Sequence, residues 1–559
     1  MTDLGQLESV ELLEYSPRQI VPTTAPAGSG EVNRPNWLSI RRLWMIGFLG
    51  VTAWLVWQTW WVRRPVINER GWPQVSRFAR ASVAPRVDGE FLQVVARAAL
   101  TSIEFAVLGT AVAMLIGVTG GLLTCRAWGP LPGEKAGRAG RVATGLVRTL
   151  LAVPRGIHEA VWALGLVFVL GRNPLVAILA IGIPFGAITA KVIADALDGA
   201  DQRGQQSLRR AGAGRFVSIL YGLAPRVAGD ITAYGFYRVE CALRASVVLG
   251  AIGVGGLGFE LALSFQSLRY NEMWTLIYAL VALSFIVDGV GTRYRRRLFA
   301  GGSKRLTRTV AVGTGLGIVV AAWHLQVRPL SVFSQRTRSL ATRLAGEAWP
   351  PRLPMGGWSE LSREFVATVQ LSVIAIGIAS LVGVPLAFVA ARSVGESASN
   401  RWRARTVRGA ALVVRSVPPT VWALIVLFVV FPGPLAGGIA LGIYGAGVLI
   451  RLNADVIEQT DRAGMTALRY GGATRMTAFA YGTVPTVGPR LLSMSTYRWG
   501  VAARETVIVG LVGAGGLGRT LAQQNAAQDE AGMLTTVAAL IIVSVLIDYI
   551  GRHLRAAFT

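Results

Sequence analysis

The sequence predicts an all-α polytopic membrane protein of about twelve transmembrane helices, arranged as two parallel six-helix repeats. Three observations predict this class. Hydrophobic residues fill 52% of the 559 positions and charged residues only 15%, where a soluble domain carries about a quarter charged. Apolar runs of about twenty residues recur, the length that crosses a bilayer core. The second half of the chain also repeats the first at a constant offset of 260 residues, the signature of an internal duplication.

The apolar runs place spans near 43–62, 99–124, 144–170, 174–195, 228–253 and 273–292, then near 309–326, 366–391, 409–431, 434–454, 488–513 and 533–551. An even number per half gives both repeats one orientation. The segments 293–308 and 392–408 hold seven and five Lys/Arg residues, so they are expected inside, with both termini cytoplasmic. The segments 63–95 and 327–363, expected outside, hold six arginines each and run against that rule. Pro85, Pro350 and Pro351 break any long helix there. Residues 1–42 are acidic early on (Asp3, Glu8, Glu11, Glu14) and lack the basic start and apolar core of a secretory signal. A disordered cytoplasmic tail is expected over 1–42. The repeats are expected at 43–300 and 301–559.

The net charge is +26, from 56 Lys+Arg against 30 Asp+Glu. A soluble nucleic-acid binder can be this basic but does not carry this much apolar sequence, so no nucleic-acid partner is expected. Two cysteines, Cys125 and Cys241, give no disulfide framework, and three histidines, His158, His324 and His553, leave a His-based metal site without ligands. Gly253-x-Gly-x-x-Gly258 and its copy Gly513-x-Gly-x-x-Gly518 each end a span. They read as a bend or a close helix contact rather than a dinucleotide loop, which needs a preceding strand. No GxxxxGK[ST], HExxH or GxSxG motif occurs. No cofactor and no catalytic residue is therefore expected on this chain.

The 260-residue offset holds through loops as well as spans. Trp162-Ala-Leu meets Trp422-Ala-Leu, Asp195 meets Asp455, Asp201 meets Asp461, Arg238 meets Arg498 and Arg244 meets Arg504. Shared membrane composition alone does not preserve loop matches. A parallel repeat implies a pseudo-two-fold axis along the membrane normal and a central path between the halves.

The polar segment after the fourth span of each half is the strongest functional signal. It reads Gln206-Ser-Leu208-Arg209-Arg-Ala-Gly212-Ala213 with Pro225 beyond, and Thr466-Ala-Leu468-Arg469-Tyr-Gly-Gly472-Ala473 with Pro485 beyond. The spacing predicts a short helix ending at the glycine, where left-handed backbone is cheap. A second short helix follows, with Phe216, Ile219 and Leu220 on one face and Met476, Phe479 and Ala480 in the copy. Proline then opens the next span. Two short helices on a membrane surface make a knob that a soluble partner can grip.

This layout resembles the EAA loop of binding-protein-dependent ABC importer permeases, in which a coupling helix docks on the ATP-hydrolysing subunit. The usual glutamate at the loop start is Gln206 here and Thr466 in the copy, which removes an ionic contact but not the docking. The phosphonate-type branch is closer still. Val153-Pro-Arg155-Gly-Ile-His158-Glu159-Ala-Val-Trp162 and Tyr237-Arg238-Val-Glu240-Cys-Ala-Leu-Arg244 are similar to its third- and fifth-span motifs. In the second half, Val417-Pro-Pro-Thr420-Val-Trp422 reads as four residues shorter and without the Arg/His/Glu cluster, and Gly500 stands at the place of Glu240. The resemblance implies a type I ABC importer permease with two halves fused in one chain. It also implies two copies of an ATPase subunit carrying ATP and Mg, an extracytoplasmic solute-binding protein, a cell-membrane location, and phosphonate, phosphite or phosphate as cargo.

The residues themselves point the same way. Charges at membrane depth are expensive and mark pathways. Arg155, His158 and Glu159 fall inside the predicted third span, and Glu240 and Arg244 are four apart on the fifth. Arg498, Arg504 and Glu505 occupy the fifth span of the second half. Guanidinium forks bind phosphoryl oxygens, and neighbouring carboxylates keep them from trapping the anion. Structural ion pairs between helices are the alternative reading. An ion-gradient-driven secondary transporter with a 6+6 parallel repeat is the competing function, but it leaves the paired cytoplasmic loops unexplained.

Overall fold

The structure, a computed structural model, describes residues 66–129, 138–299, 304–391 and 398–558, with isolated positions 47, 50, 54 and 57. The expected tail 1–42 lies outside the described residues, as does the first span near 43–62 apart from those four positions. In chain order the described helices are α1 (Trp72–Ala81), α2 (Gly89–Thr124), α3 (Arg138–Gly156), α4 (Glu159–Leu170), α5 (Pro174–Gly199), α6 (Arg203–Arg210) and α7 (Arg215–Gly222). They continue with α8 (Ala224–Ala251), α9 (Leu257–Gln266), α10 (Tyr270–Phe299), α11 (Lys304–His324), α12 (Gln335–Ala348), α13 (Gly357–Ala390), α14 (Ala398–Ser416) and α15 (Pro419–Val429). The last are α16 (Pro434–Gln459), α17 (Ala463–Tyr470), α18 (Arg475–Ala478), α19 (Val484–Leu511), α20 (Leu517–Ala526) and α21 (Glu530–Phe558). An isolated antiparallel bridge joins Ile67 and Val430.

The duplication is written into the helix boundaries. From α3 and α14 onward, paired helices begin 260 residues apart, and in most pairs they also end 260 apart. Local signals explain the ends: Pro174 and Pro434 open α5 and α16, and Pro225 and Pro485 sit in the first turns of α8 and α19. Pro85, Pro350 and Pro351 lie ahead of α2 and α13, as their helix-breaking chemistry requires.

Six described helices are long and apolar enough to span a membrane: α2, α5, α10 (to Tyr294), α13, α16 and α21 (to Arg555). The expected third spans, 144–170 and 409–431, are broken. α3 and α4 meet at 93°, and α14 and α15 at 87°, so the count rises to eight only if each bent pair is one span. Pro154 near the end of α3 and Pro418–Pro419 at the start of α15 account for the breaks. α8 and α19 form over the expected fifth spans, but their arginines and glutamates keep them out of the six.

The chain divides into two compact units, 84–344 and 345–558 with 66–83. Their bounds follow packing, not the repeat boundary near 300. Within the first unit, Ile318 and Ala321 of α11 join the core formed by Phe105, Leu108, Ile178 and Ile181. Within the second, Asn68 N donates to Val429 O at 2.6 Å, Phe431 N donates to Val66 O at 3.0 Å, and Phe78 packs on Phe428. Each unit thus includes the leading segment of the other's repeat. Both are built on one close pair, α2 with α5 and α13 with α16. Glycines permit the approach: a Cβ on Gly182 would lie 2.6 Å from Val112, and one on Gly442 2.8 Å from Ile378.

The rest of the frame repeats as well. Ser102 Oγ accepts from Leu257 N at 2.9 Å, and Thr368 Oγ1 accepts from Leu517 N at 2.8 Å. Arg148 donates to Thr124 O at 2.6 Å, and Arg408 to Ala390 O at 2.9 Å.

Candidate functional site

The polar loops fold as paired short helices in both units. α6 ends in a turn where Gly212 takes φ +90°, Gly212 N donates to Arg209 O at 3.0 Å, and Ala213 N donates to Leu208 O at 2.9 Å. In the copy, Gly472 takes φ +83°, with Gly472 N to Arg469 O at 3.2 Å and Ala473 N to Leu468 O at 2.9 Å. This double bond with a left-handed glycine is the C-terminal motif the spacing predicts. The second helix folds back so closely that a Cβ on Gly222 would lie 2.7 Å from Gln205 Cα, and one on Gly482 2.7 Å from Met465 Cα.

The remaining loop candidates diverge. Leu208 and Leu468 are half-buried, as is Gln206, while Thr466 is exposed. Arg209 reaches Gly129 O at 2.7 Å, whereas Arg469 turns back to Ala473 O at 3.3 Å. Asp201 caps α6 by accepting from Arg203 N at 3.0 Å and pairs with Arg226 at 3.1 Å. The Arg203 amide, helped by both arginines, holds its carboxyl below the usual range.

The apolar face differs from the one the sequence suggests. Ile219 is buried with Ile193, Leu197 and Leu223, so it anchors α7 to the unit instead of facing outward. Phe216, Val217, Leu220 and Tyr221 are the exposed residues. In the copy Met476 and Tyr481 are exposed, and Phe479 packs edge-on against Phe388 at 5.1 Å. There α18 is short and passes into a π-helical turn, Phe479–Thr483.

The charged candidates fall into two clusters in each unit. Arg155, His158 and Glu159 sit at the α3–α4 break and not inside a straight span. His158 caps α4, its Nδ1 accepting from Ala160 N at 3.1 Å and its Nε2 lying 3.3 Å from Glu159. The second unit corrects the sequence reading of a four-residue deletion. α14 and α15 break at the same register, and Arg415, which is 3% exposed, stands where Arg155 does. Pro418 and Pro419 replace only the histidine and glutamate. The adjacent proline pair hid this register, but extending the 260-residue offset backwards from Trp422 finds it.

α4 packs on α8, which carries the second cluster. Arg238 is buried against Tyr234, donating from Nε to its hydroxyl at 2.7 Å. Its guanidinium lies 4.8–5.8 Å from the ring centres of Phe185, Tyr234 and Tyr237, a cation–π enclosure. Arg244 Nη2 pairs with Glu240 at 3.3 Å, one turn away. On α19, Arg498 pairs with Glu505 at 3.6 Å, and Arg504 pairs with Asp548 of α21 at 3.6 Å. Asp548 was missed as a candidate because it lies 44 residues from its partner. Its match to Asp288 at the 260-residue offset was the available signal.

Comparison with known proteins bears on both halves. Residues 383–559 match the family model of the binding-protein-dependent transport system inner membrane component. The chain is 30% identical over 477 residues to the phosphate-import permease protein PhnE of Mycolicibacterium smegmatis, covering 83% of this chain and 85% of that one. It is 31% identical over 252 residues to the phosphite transport system permease protein PtxC of Stutzerimonas stutzeri, covering 44% of this chain and 88% of that one. No solved structure gives a significant match.

Proposed function

The chain belongs to the binding-protein-dependent transport inner-membrane family, as an ABC importer permease of the phosphonate type with two halves fused, and from that premise we propose that it imports phosphonate, phosphite or phosphate. It is a multi-pass inner-membrane transport subunit that works with an ATPase and a binding protein. In this reading two copies of the ATPase, carrying ATP and Mg, grip the knobs α6–α7 and α17–α18, and both termini are cytoplasmic. The observation that carries it is the repeated knob: two short helices on one glycine turn, backed by one glycine contact, with an exposed apolar face in each copy.

ATP binding draws the ATPases together and moves both knobs. Because Ile219 seats α7 against the end of α5, a push on the knob is delivered to the spanning helices. The cycle alternates access, and the cargo must be held differently in its two states. Arginines on α8 and α19 offer guanidinium forks to phosphoryl oxygens, and their carboxylate partners compete for those forks so that the anion leaves again. The surrounding lipid covers the apolar faces of the spans.

Native mass spectrometry of the complex in mild detergent, followed by uptake of labelled phosphonate, phosphite and phosphate, tests this. One chain with two ATPases and uptake that depends on ATP is the expected result. A chain that repeatedly comes without an ATPase and takes up solute on an ion gradient overturns it in favour of a secondary transporter.

A further inference from the structure

The basic segment beyond α11 runs against the charge rule, and its surroundings offer a reason. α11 turns one side to the core of the first unit through Ile318 and Ala322. On its other side Val312, Leu316, Val319 and Trp323 follow one another at helical spacing as an exposed apolar stripe. The end of the helix is tied down. His324 Nδ1 lies 2.7 Å from Glu104 of α2, and Leu325, Val327 and Val332 pack on the core. The residues between them therefore point away. Leu330 is 80% exposed and Phe333 84%, in a short 3₁₀ turn, Pro329–Phe333. Ser334 then caps α12, its Oγ accepting from Thr337 N at 3.2 Å. On α12, Leu340, Ala341 and Leu344 share one half-buried face, with Arg336 and Arg343 along one flank and Arg338 along the other.

Residues 328–343 hold four arginines and no acid. All four arginines are exposed, and among the described residues Arg328, Arg336 and Arg338 have no ion-pair or hydrogen-bond partner for their side chains. Unpaired guanidinium forks beside exposed Leu330 and Phe333 match one surface on both counts, that of phosphates lying over hydrocarbon. We propose that residues 328–343 bind anionic phospholipid headgroups where α11 leaves the membrane. Leu330 and Phe333 enter the acyl layer, and Arg328, Arg336 and Arg338 hold phosphate oxygens. Continuity favours lipid over a soluble partner: one apolar stripe runs from Val312 to Phe333, and the solvent that covers its α11 part covers its end. Headgroup binding also gives arginines a use on a side of the membrane where the charge rule leaves few. The proposal needs the membrane location of the family and is independent of the cargo.

The test uses the full chain, purified in mild detergent. Native mass spectrometry follows its titration with phosphatidylglycerol or with phosphatidylcholine. Arginines elsewhere also attract anionic lipid, so the readout is the difference between wild type and the triple variant R328Q/R336Q/R338Q. The variant is expected to bind phosphatidylglycerol at least about tenfold more weakly, with phosphatidylcholine binding and melting temperature unchanged. Unchanged phosphatidylglycerol binding overturns the proposal, as does an equal loss for both lipids. If the triple variant melts early, the three single variants decide. Each is expected to weaken phosphatidylglycerol about two- to fivefold, and three singles at the wild-type value overturn the proposal. Inorganic phosphate at the lipid's concentration is expected to displace none of the lipid, and displacement would make this a free-phosphate site instead. The occupant is identified in nanodiscs by Phe333→benzoylphenylalanine and illumination, with the binding protein present. A phospholipid adduct is expected, and an adduct to the binding protein without one to lipid overturns the proposal in favour of a protein dock.

Discussion

Arg238 and Arg498 occupy the same place in the two halves, and the surroundings of each show how far duplicated copies can part. Around Arg238 the protein supplies Tyr234, Tyr237 and Phe185. At the corresponding positions the second half has Met494, Tyr497 and Gly445, and Arg498 instead meets Glu505, where the first half has Ala245. One copy stabilises a buried cation with ring quadrupoles and a hydroxyl, the other with a formal negative charge. The skeleton did not part with them. The helix boundaries, the serine or threonine that accepts from the first residue of α9 or α20, and the arginine that closes α2 or α13 agree in both units. Backbone contacts tolerate few replacements, whereas a buried charge needs only some partner of the right kind.

That contrast can be broken most severely where the halves agree. Gly222→Val and Gly482→Val each drive a side chain into backbone 2.7 Å away, and backbone cannot swing aside. Both variants are expected to abolish uptake and to lose co-purifying ATPase, to the same extent. A large difference between them would mean that the two knobs do not share one role.

A smaller and unequal effect is expected at the arginines. Glu505→Gln takes a carboxylate from a largely buried ion pair and is expected to destabilise the second unit by about 2–3 kcal/mol, read as a lower melting temperature. Ala245→Glu, its mirror in the first half, should not stabilise, because Arg238 is already enclosed by rings. A stabilising A245E would erase the distinction between the two sites.

Ser102→Ala and Thr368→Val sharpen the agreement again. Each leaves a buried amide, Leu257 N or Leu517 N, without its acceptor. Each is expected to lose about 1–2 kcal/mol, and equal losses in thermal melts support equivalent frames.

The smallest effect is a pH dependence at the start of α6. The Asp201 carboxyl sits below its usual range, so it stabilises the start of α6 above that range, and the contribution is lost as pH falls through the depressed value. Arg226, which assists it, is Thr486 in the copy. The protection factor of the Arg203 amide should fall on acidification, and Asp201→Asn should remove that dependence. An unchanged protection factor down to strongly acidic pH in the wild-type chain would rule the cap out as its source.

Much of the candidate site was legible without coordinates. The glycine turns, the two-helix knobs and the proline starts follow from neighbours a few residues apart, so local pattern sufficed. Arg244 with Glu240 was legible for the same reason, being one helical turn apart. Other features were not. Ile219 lies on the same short helix as Phe216, but periodicity alone does not say which side of that helix the unit covers. The right-angle breaks at α3–α4 and α14–α15 were missed because each bent pair is apolar enough as a whole to read as one span, and hydropathy measures composition, not direction.

By itself the sequence determined an all-α membrane protein, its duplication at a 260-residue offset, and the paired knobs. These depend on hydropathy, on repetition and on chain geometry within about one helical turn. Only the tertiary structure decided that Asp548 faces Arg504 and that Arg238 lies among aromatic rings. It alone decided that each compact unit includes the leading segment of the other repeat. Those outcomes join residues from separate helices. Which helices meet is set by packing over the whole unit, where glycine at one position makes room for a side chain from another.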